Sequence, residues 1–296
     1  MKNLKEYILT ENNFFKNLGV GQVAQIRKWL GEHNITNYTI NDDFTIDVKG
    51  DVVLDEYPEK ELPDYIQFNY VDGHISINNS KKLVSLKGFP EKMWGSFECS
   101  ECENLISLKG APQEIGGYFE CWGCKKLKSL NNGPQKVGLD FRCGKCTSLT
   151  SLKGAPQTVG GNFNCSGCTS LTSLKGAPRE LPYDFDCSYC TSLTTLKDAP
   201  QKVEGDFCCN DCTGLTSLKG APQNVDGKFD CSGCTSLTSL EGSPQTVGGE
   251  YDCSNCSKIT SLEGCPKEVG SAFWAIKCGK RFTKDDVKKY CKIKWQ

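Results

Sequence analysis

The sequence has very little histidine and no long apolar run. Only His33 and His74 occur among 296 residues, so a metal centre or acid–base catalyst built on histidine has little to draw on. No run of about 18 apolar residues is present, which predicts no transmembrane helix. Charges interrupt the first residues before a signal peptide could form. We therefore expect a cytoplasmic protein.

An excess of either charge is also missing. The formal net charge is -1, which gives no general attraction to nucleic acid or to membranes. The sequence contains no GxSxG motif, no P-loop and no dinucleotide fingerprint in a strand-to-helix context. These absences predict a protein that is not an enzyme and that carries no cofactor.

Cysteine, in contrast, is abundant, with 20 residues. In a reducing cytoplasm we expect free thiols or metal ligands and not disulfides. Sixteen of the cysteines form eight CxxC pairs that recur every 22 residues without an insertion: Cys99/Cys102, Cys121/Cys124, Cys143/Cys146, Cys165/Cys168, Cys187/Cys190, Cys209/Cys212, Cys231/Cys234 and Cys253/Cys256.

Other residue types keep the same step. A 22-residue unit cannot bury its apolar side alone, whereas stacked coils join like residues into continuous strips of core. The recurring columns are phenylalanine from Phe97 to Phe229 (continued by Tyr251 and Phe273), leucine from Leu86 to Leu262, proline from Pro90 to Pro266 and a valine-like column from Val71 to Val269.

Each repeat predicts one short strand. In Phe163-Asn164-Cys165 the alternation places phenylalanine and cysteine inward. The GAP segment closes a turn, and the stretch after it is too short and too interrupted by proline for a helix, so we expect it to be irregular. The repeats therefore predict a solenoid of about ten coils, each with a short parallel β-strand plus an irregular turn.

The segments FNCSGCTSLTSL (163–174) and FDCSGCTSLTSL (229–240) resemble a leucine-rich repeat of the short bacterial type, in a cysteine-rich CxxC variant. The resemblance covers about residues 66–278 and implies a solenoid of leucine-rich-repeat type. The second cysteine of each pair occupies the position of that family's asparagine ladder. YTINDDFTIDVKGDVVL (38–54) is similar to a stretch that precedes the repeats in uncharacterised repeat proteins of gut bacteria and their phages.

The two ends depart from the repeat. We predict an α/β N-terminal cap module over 1–70, the solenoid over 71–279 and a C-terminal cap helix over 280–296. A solenoid needs such caps to shield its open ends. The closing helix would begin at a capping box of Thr283 and Asp286. The N-terminal module shows helical patterning at Leu4, Tyr7, Ile8, Val23, Ile26, Trp29 and Leu30, followed by strand-like alternation at Phe44, Ile46 and Val48.

Three interpretations of the cysteine pairs compete. They can be structural core, because cysteine packs as a small hydrophobe and its thiol is a weak donor. They can bind zinc or an iron–sulfur cluster, because thiolates in CxxC pairs are soft ligands. They can serve as a thiol redox reservoir. We favour core, because the columns end at Ile77, Ser80 and Ala275, and neither isoleucine nor alanine binds metal.

The residues between the inward positions predict an acidic strand face. Strand faces of solenoids are their usual binding surfaces, and a negative stripe with aromatics suits a basic protein partner. It argues against nucleic acid, whose phosphates would be repelled. The candidate partner-binding residues are Glu98, Glu120, Asp140, Asp184, Asp186, Asp206, Asp230, Asp252, Trp122 and Tyr189.

We therefore expect a non-enzymatic interaction scaffold that is a monomer, with metal binding or thiol redox storage as the alternative functions. Cys208 is the outward cysteine of the strand face. It is accordingly the best candidate for an accessible, reactive thiol.

Overall fold

Each 22-residue repeat forms one coil of a parallel β-solenoid of about eleven coils, as a computed structural model of the chain shows. The structure describes residues 19–294. Successive coils pair in register, so that Phe141 lies beside Phe163 in the next coil. The coil count is close to the ten that the sequence predicts, because one further coil precedes the recognisable repeats.

The predicted strand of each coil forms an 11-stranded parallel sheet, called here the phenylalanine sheet. Its strands are Val52–Val53 (β3), Ile75–Ser76 (β5), Phe97–Glu98 (β7), Phe119–Glu120 (β9), Phe141–Arg142 (β11), Phe163–Asn164 (β13), Phe185–Asp186 (β15), Phe207–Cys208 (β17), Phe229–Asp230 (β19), Tyr251–Asp252 (β21) and Phe273–Trp274 (β23).

Each coil also contains a second strand, which in the repeats lies where the sequence predicts an irregular stretch and in the first coil lies at the predicted Ile46 and Val48. This expectation was wrong, because the valine-like column turns one side chain inward and pairs with its neighbours in parallel. These valine strands are Ile46–Val48 (β2), Phe68–Val71 (β4), Lys92–Met93 (β6), Glu114–Ile115 (β8), Lys136–Val137 (β10), Thr158–Val159 (β12), Glu180–Leu181 (β14), Lys202–Val203 (β16), Asn224–Val225 (β18), Thr246–Val247 (β20) and Glu268–Val269 (β22).

The valine strands do not form one sheet, and proline explains one break. A four-stranded sheet ends at β12, and a six-stranded sheet begins at β14. In neighbouring coils the residue after the valine position donates to the coil before it, as Gly160 N–H does to the Val137 carbonyl at 3.0 Å. Pro182 occupies that position after β14 and has no N–H, so the bond to Val159 cannot form.

The interior is a set of stacked columns. The phenylalanines from Phe97 to Phe229 are fully buried, with adjacent ring centroids 5.1–5.8 Å apart. Tyr251 continues the column, and its hydroxyl lies 2.8 Å from Oγ of Ser243, which replaces the alanine of the GAP turn. The buried hydroxyl therefore has a partner.

At the N-terminal end, helix α1 covers residues 19–32, and Ile26, Trp29 and Leu30 are buried against the first coil. The strand Tyr38–Ile40 (β1) pairs antiparallel with β2. Leu4, Tyr7 and Ile8, where helical patterning is also predicted, lie outside the described residues.

At the C-terminal end, Thr283 and Asp286 form the predicted capping box of helix α2, Lys284–Lys288. The predicted helix is wrong beyond that point, because the chain continues into a strand, Lys292–Ile293 (β24), that pairs in parallel with β22. In the described part of the chain, no helix is long and apolar enough to cross a membrane.

Candidate functional surface and cysteine columns

Both cysteines of every pair face the interior. All sixteen are fully buried, and all twenty cysteines of the chain are free thiols. We call the cysteines at 99, 121 and onward the first column and those at 102, 124 and onward the second column. The two columns lie in different chemical surroundings, although the sequence motif treats them alike.

Every second-column thiol donates a hydrogen bond to the backbone carbonyl at the first-column position of the preceding coil. The Sγ–oxygen distances are 3.1–3.4 Å for Cys102 to Ile77, Cys124 to Cys99, Cys146 to Cys121, Cys168 to Cys143, Cys190 to Cys165, Cys212 to Cys187, Cys234 to Cys209, Cys256 to Cys231 and Cys278 to Cys253. The thiols thus join adjacent coils as a ladder.

This ladder explains how the columns end. The first-column position contributes its backbone carbonyl to the ladder, so Ile77 accepts from Cys102 as well as a cysteine would. In the second column, Ser80 is buried, and its Oγ accepts the Tyr57 N–H at 2.9 Å. A polar hydrogen-bonding atom is therefore kept in the second column, whereas the first column needs only an apolar side chain.

The first-column thiols resist ionisation. The side-chain interaction with the second-column thiol of the next coil (Cys168 for Cys143, Cys212 for Cys187), together with burial, raises the pKa of Cys143 and of Cys187 well above the ordinary 9.0. Burial raises the pKa of Cys102 to about 12. Protonated, buried thiols are poor nucleophiles. Between residues 19 and 294, no three His, Cys, Asp or Glu side chains converge as a metal site requires.

The strand face lies on the outer side of the phenylalanine sheet. All ten candidate partner-binding residues lie in this sheet or in the segments that flank its strands. The carboxylates among them are half-buried, and each accepts a hydrogen bond from its own coil or from a neighbouring coil. This second role of the acidic residues was not apparent in their sequence pattern.

In the central coils the residue before the phenylalanine connects adjacent coils. Oδ1 of Asp184 accepts the backbone N–H of Asp206 at 2.8 Å, and Oδ1 of Asp206 accepts that of Lys228 at 2.7 Å. Asn162 makes the same bond to the N–H of Asp184 at 3.0 Å. An amide oxygen therefore accepts this bond as well as a carboxylate oxygen does. The bond between coils needs an acceptor at this position but not a negative charge.

The aspartates that follow the phenylalanine position hold the turn after them. Oδ1 of Asp186 accepts the backbone N–H of Ser188 at 2.9 Å. Asp230 and Asp252 accept from Ser232 and Ser254 in the same way. Each bond fixes the carboxylate against its own backbone, so these side chains lose little freedom on meeting a partner.

Two basic residues divide the acidic face. Arg142 contacts Glu120 at 3.2 Å and Asp140 at 2.6 Å, and Lys228 contacts Asp230 at 2.9 Å. In the part of the chain that the structure describes, Asp184, Asp186, Asp206, Asp252 and Glu98 have no basic partner within salt-bridge distance. The first three lie together between Arg142 and Lys228, and we call them the central acidic segment.

The predicted aromatics differ in exposure. Trp122 lies across the backbone of the next coil, where Lys145 Nζ is 5.4 Å from its ring centroid. Its ring also fills the space beside Gly144, because an added Cβ there would lie 2.0 Å from the indole. Tyr189 lies in the chain between Asp186 and Asp206 of the central acidic segment and is 55% exposed. Tyr189 is thus the aromatic that remains available for contact.

Cys208 faces outward as predicted, but its surroundings disfavour the thiolate. It is only half-buried, yet burial and the carboxylates of Asp186 and Asp230 raise its pKa to about 12. At neutral pH it is a neutral thiol among carboxylates. The prediction missed this effect because it considered exposure without the charges of adjacent coils.

No protein-family model matches the chain, and neither a curated protein nor a solved structure matches it. Any function must therefore be inferred from the geometry of the coils.

Proposed function

We propose that the protein is a non-enzymatic interaction scaffold that binds a basic protein segment on the strand face. The carrying observation is the central acidic segment, in which three carboxylates lie on two adjacent coils without a basic partner among the described residues. Parallel strands stand about 4.8 Å apart, so the segment presents negative charge at a regular spacing. Lysine and arginine side chains of an extended peptide match such a row.

Pre-organisation supports this proposal. Asp184 and Asp206 each use Oδ1 for a backbone bond, and Oδ2 of each has no hydrogen-bond partner within residues 19–294. A carboxylate that is already held in place loses little entropy when it binds a cation. Tyr189 stands beside the segment and offers an aromatic surface for the aliphatic part of an arginine or lysine.

We further propose that the solenoid is of leucine-rich-repeat type and that its terminal segments act as caps. The thiol ladder occupies the place that the asparagine ladder has in that family. At both ends, a helix packs against the last apolar side chains, Trp29 near one end and Val287 near the other. Such packing is what a cap must provide.

The experiment is a selection of peptides from a random displayed library on the immobilised full-length protein. Enriched peptides should be rich in lysine and arginine, and their affinity should fall as salt is raised. The Asp184→Asn/Asp206→Asn variant should weaken binding at least about tenfold, because it removes two charges and keeps both backbone bonds.

The matched control is Glu241→Gln/Glu263→Gln, which removes two exposed charges outside the strand face. This control should bind as the unsubstituted protein does. Enrichment of peptides without basic residues would contradict the proposal. Equal loss of binding in both variants would show attraction to overall charge and would also contradict it.

A further inference from the structure

The two ends of the phenylalanine sheet are unpaired in the described part of the chain. The sheet begins at β3 and ends at β23. The valine strands differ, because β1 pairs with β2 at one end and β24 pairs with β22 at the other. Each end of the solenoid therefore covers one strand of its outermost coil and leaves the other strand open.

The open edges present opposite hydrogen-bonding groups. Inside the solenoid, the N–H groups of Phe229, Cys231 and Gly233 donate to the next coil. The equivalent N–H groups of the last coil, those of Phe273, Ala275 and Lys277, have no acceptor within residues 19–294. At the other end, the carbonyls of Asp51, Val53 and Asp55 accept from no described group, although their equivalents in later coils all do.

The outward side chains at these edges are apolar, unlike those between them. Val53 is 58% exposed, Trp274 is 42% exposed and Ile276 is 55% exposed. Val53 and Trp274 occupy the outward strand position that carries Glu98, Asp186 and equivalents in the interior coils. At this outward strand position the exposed apolar side chains lie at the two unpaired edges, and such exposure is typical of surfaces that meet a partner.

The ends also carry opposite charge. Residues 42–64 contain nine acidic and two basic side chains, whereas residues 277–294 contain eight basic and two acidic ones. The net charge of the whole chain hides this separation. Like ends of two copies would repel each other, and unlike ends would attract.

We infer that copies of this chain associate head to tail, with β23 of one copy pairing in parallel with β3 of the next. The N–H groups at 273, 275 and 277 would then donate to the carbonyls at 51, 53 and 55 in the register of every internal pair. Val53 and Trp274 would become neighbours across the junction. Such a contact is heterologous and leaves the next end free, so chains of copies can grow.

This inference departs from the monomer that the sequence predicts. The sequence shows where the repeats stop, but not which strand of the outermost coil is left unpaired. Natural proteins often protect such an edge against pairing. Here the apolar side chains and the complementary charges favour pairing between copies.

The test is sedimentation velocity of the full-length protein over a wide range of concentration and salt. The average mass should rise with protein concentration and fall as salt is added. Two variants each block one end. Ala275→Pro removes an edge N–H that has no internal acceptor, and Val53→Lys places a positive charge where the basic end would dock.

Each variant alone should be monomeric, with association weakened at least about tenfold. An equimolar mixture should form dimers and nothing larger, because only one intact pair of unlike ends remains. Asn164→Lys changes the same outward position in an interior coil and should associate as the unsubstituted protein does. Circular dichroism should show all three variants folded.

A monomer at every concentration would overturn the inference. So would a mixture that stays monomeric, or dimers formed by Val53→Lys alone, since these would be pairs of like ends. None of these results bears on the strand face, because the Asp184→Asn/Asp206→Asn variant keeps both ends intact.

Discussion

The Sγ atom of Cys168 lies 3.2 Å from the carbonyl oxygen of Cys143 in the preceding coil and donates a hydrogen bond to it. No other donor reaches this carbonyl within residues 19–294. The CxxC spacing brings the second thiol of each pair to this position. The motif is thus a device for joining coils, in which the two cysteines have different roles.

Replacing Cys168, the hydrogen-bond donor, should lower the free energy of unfolding more than replacing Cys143 of the first column. Cys168→Ala and Cys143→Ala remove the same atom from the same buried coil region. Only Cys168→Ala also leaves a buried carbonyl without a donor, which costs about 1–3 kcal/mol. We expect its free energy of unfolding to be lower than that of Cys143→Ala by about 1 kcal/mol. Urea unfolding measures the difference, and equal midpoints would contradict the ladder.

Stability should fall steeply above the ordinary pKa of a thiol. The folded-state pKa of Cys143 is raised, so the folded protein keeps this proton at a pH where the unfolded chain releases it. Above pH 9.0 the unfolded state therefore binds fewer protons, and the free energy of unfolding decreases as pH rises. The decrease is about 1.4 kcal/mol per pH unit for each such thiol.

The slope of stability against pH isolates this effect from lysine titration. Urea midpoints at a series of alkaline pH values should decline less steeply for Cys143→Ala than for the unsubstituted protein. Below pH 9.0 the two curves should run parallel, because the thiol is protonated in both states. Parallel curves at all pH values would show that this thiol titrates normally.

The backbone bond made by Asp184 should survive as an amide but not as a methyl group. Asp184→Asn should change the free energy of unfolding by less than about 0.5 kcal/mol, because Asn162 already makes the equivalent bond one coil earlier. Asp184→Ala removes the acceptor of the Asp206 N–H and should cost about 1 kcal/mol. Equal stability of the two variants would contradict the structural role of this position.

Cys208 should alkylate slowly, and a neighbouring carboxylate should be one reason. Its pKa is raised to about 12 by burial and by Asp186 and Asp230. Asp186→Asn removes a negative charge, so it should lower the pKa of Cys208 and speed its reaction with iodoacetamide. Peptide mass spectrometry across a pH series gives the rates. A rate that is fast at pH 8 without substitution would contradict the raised pKa.

The sequence correctly predicts the buried columns, because their apolar side chains recur every 22 residues. Phe163, Cys165 and Leu174 are fully buried as expected, because their columns leave no other face on which to place them. The second strand of each coil was missed, since only two residues such as Thr158–Val159 form it. Such a short segment has no period of its own, and pairing with adjacent coils creates the strand.

The outer surface was less predictable for a physical reason. Asp140 and Arg142 are neighbours in the chain, but Glu120, which shares their ion pairs, lies one coil away. The columns of charged residues in the sequence show the sign of the charge at each position. They do not show which carboxylates already form ion pairs with a neighbouring coil. The sequence does contain one signal of contact. Tyr251 stands where most repeats have phenylalanine, Ser243 stands where most have alanine, and the two hydroxyls form a hydrogen bond.

Counting reactive thiols in the native protein tests most directly whether the cysteine columns are a protonated core. Eighteen of the twenty cysteines are buried, so iodoacetamide should label at most Cys208 and Cys278 in the native state and all twenty after unfolding. Intact mass spectrometry gives both numbers. Rapid native labelling of the column cysteines would contradict the account, because buried thiols held in hydrogen bonds cannot react at that rate.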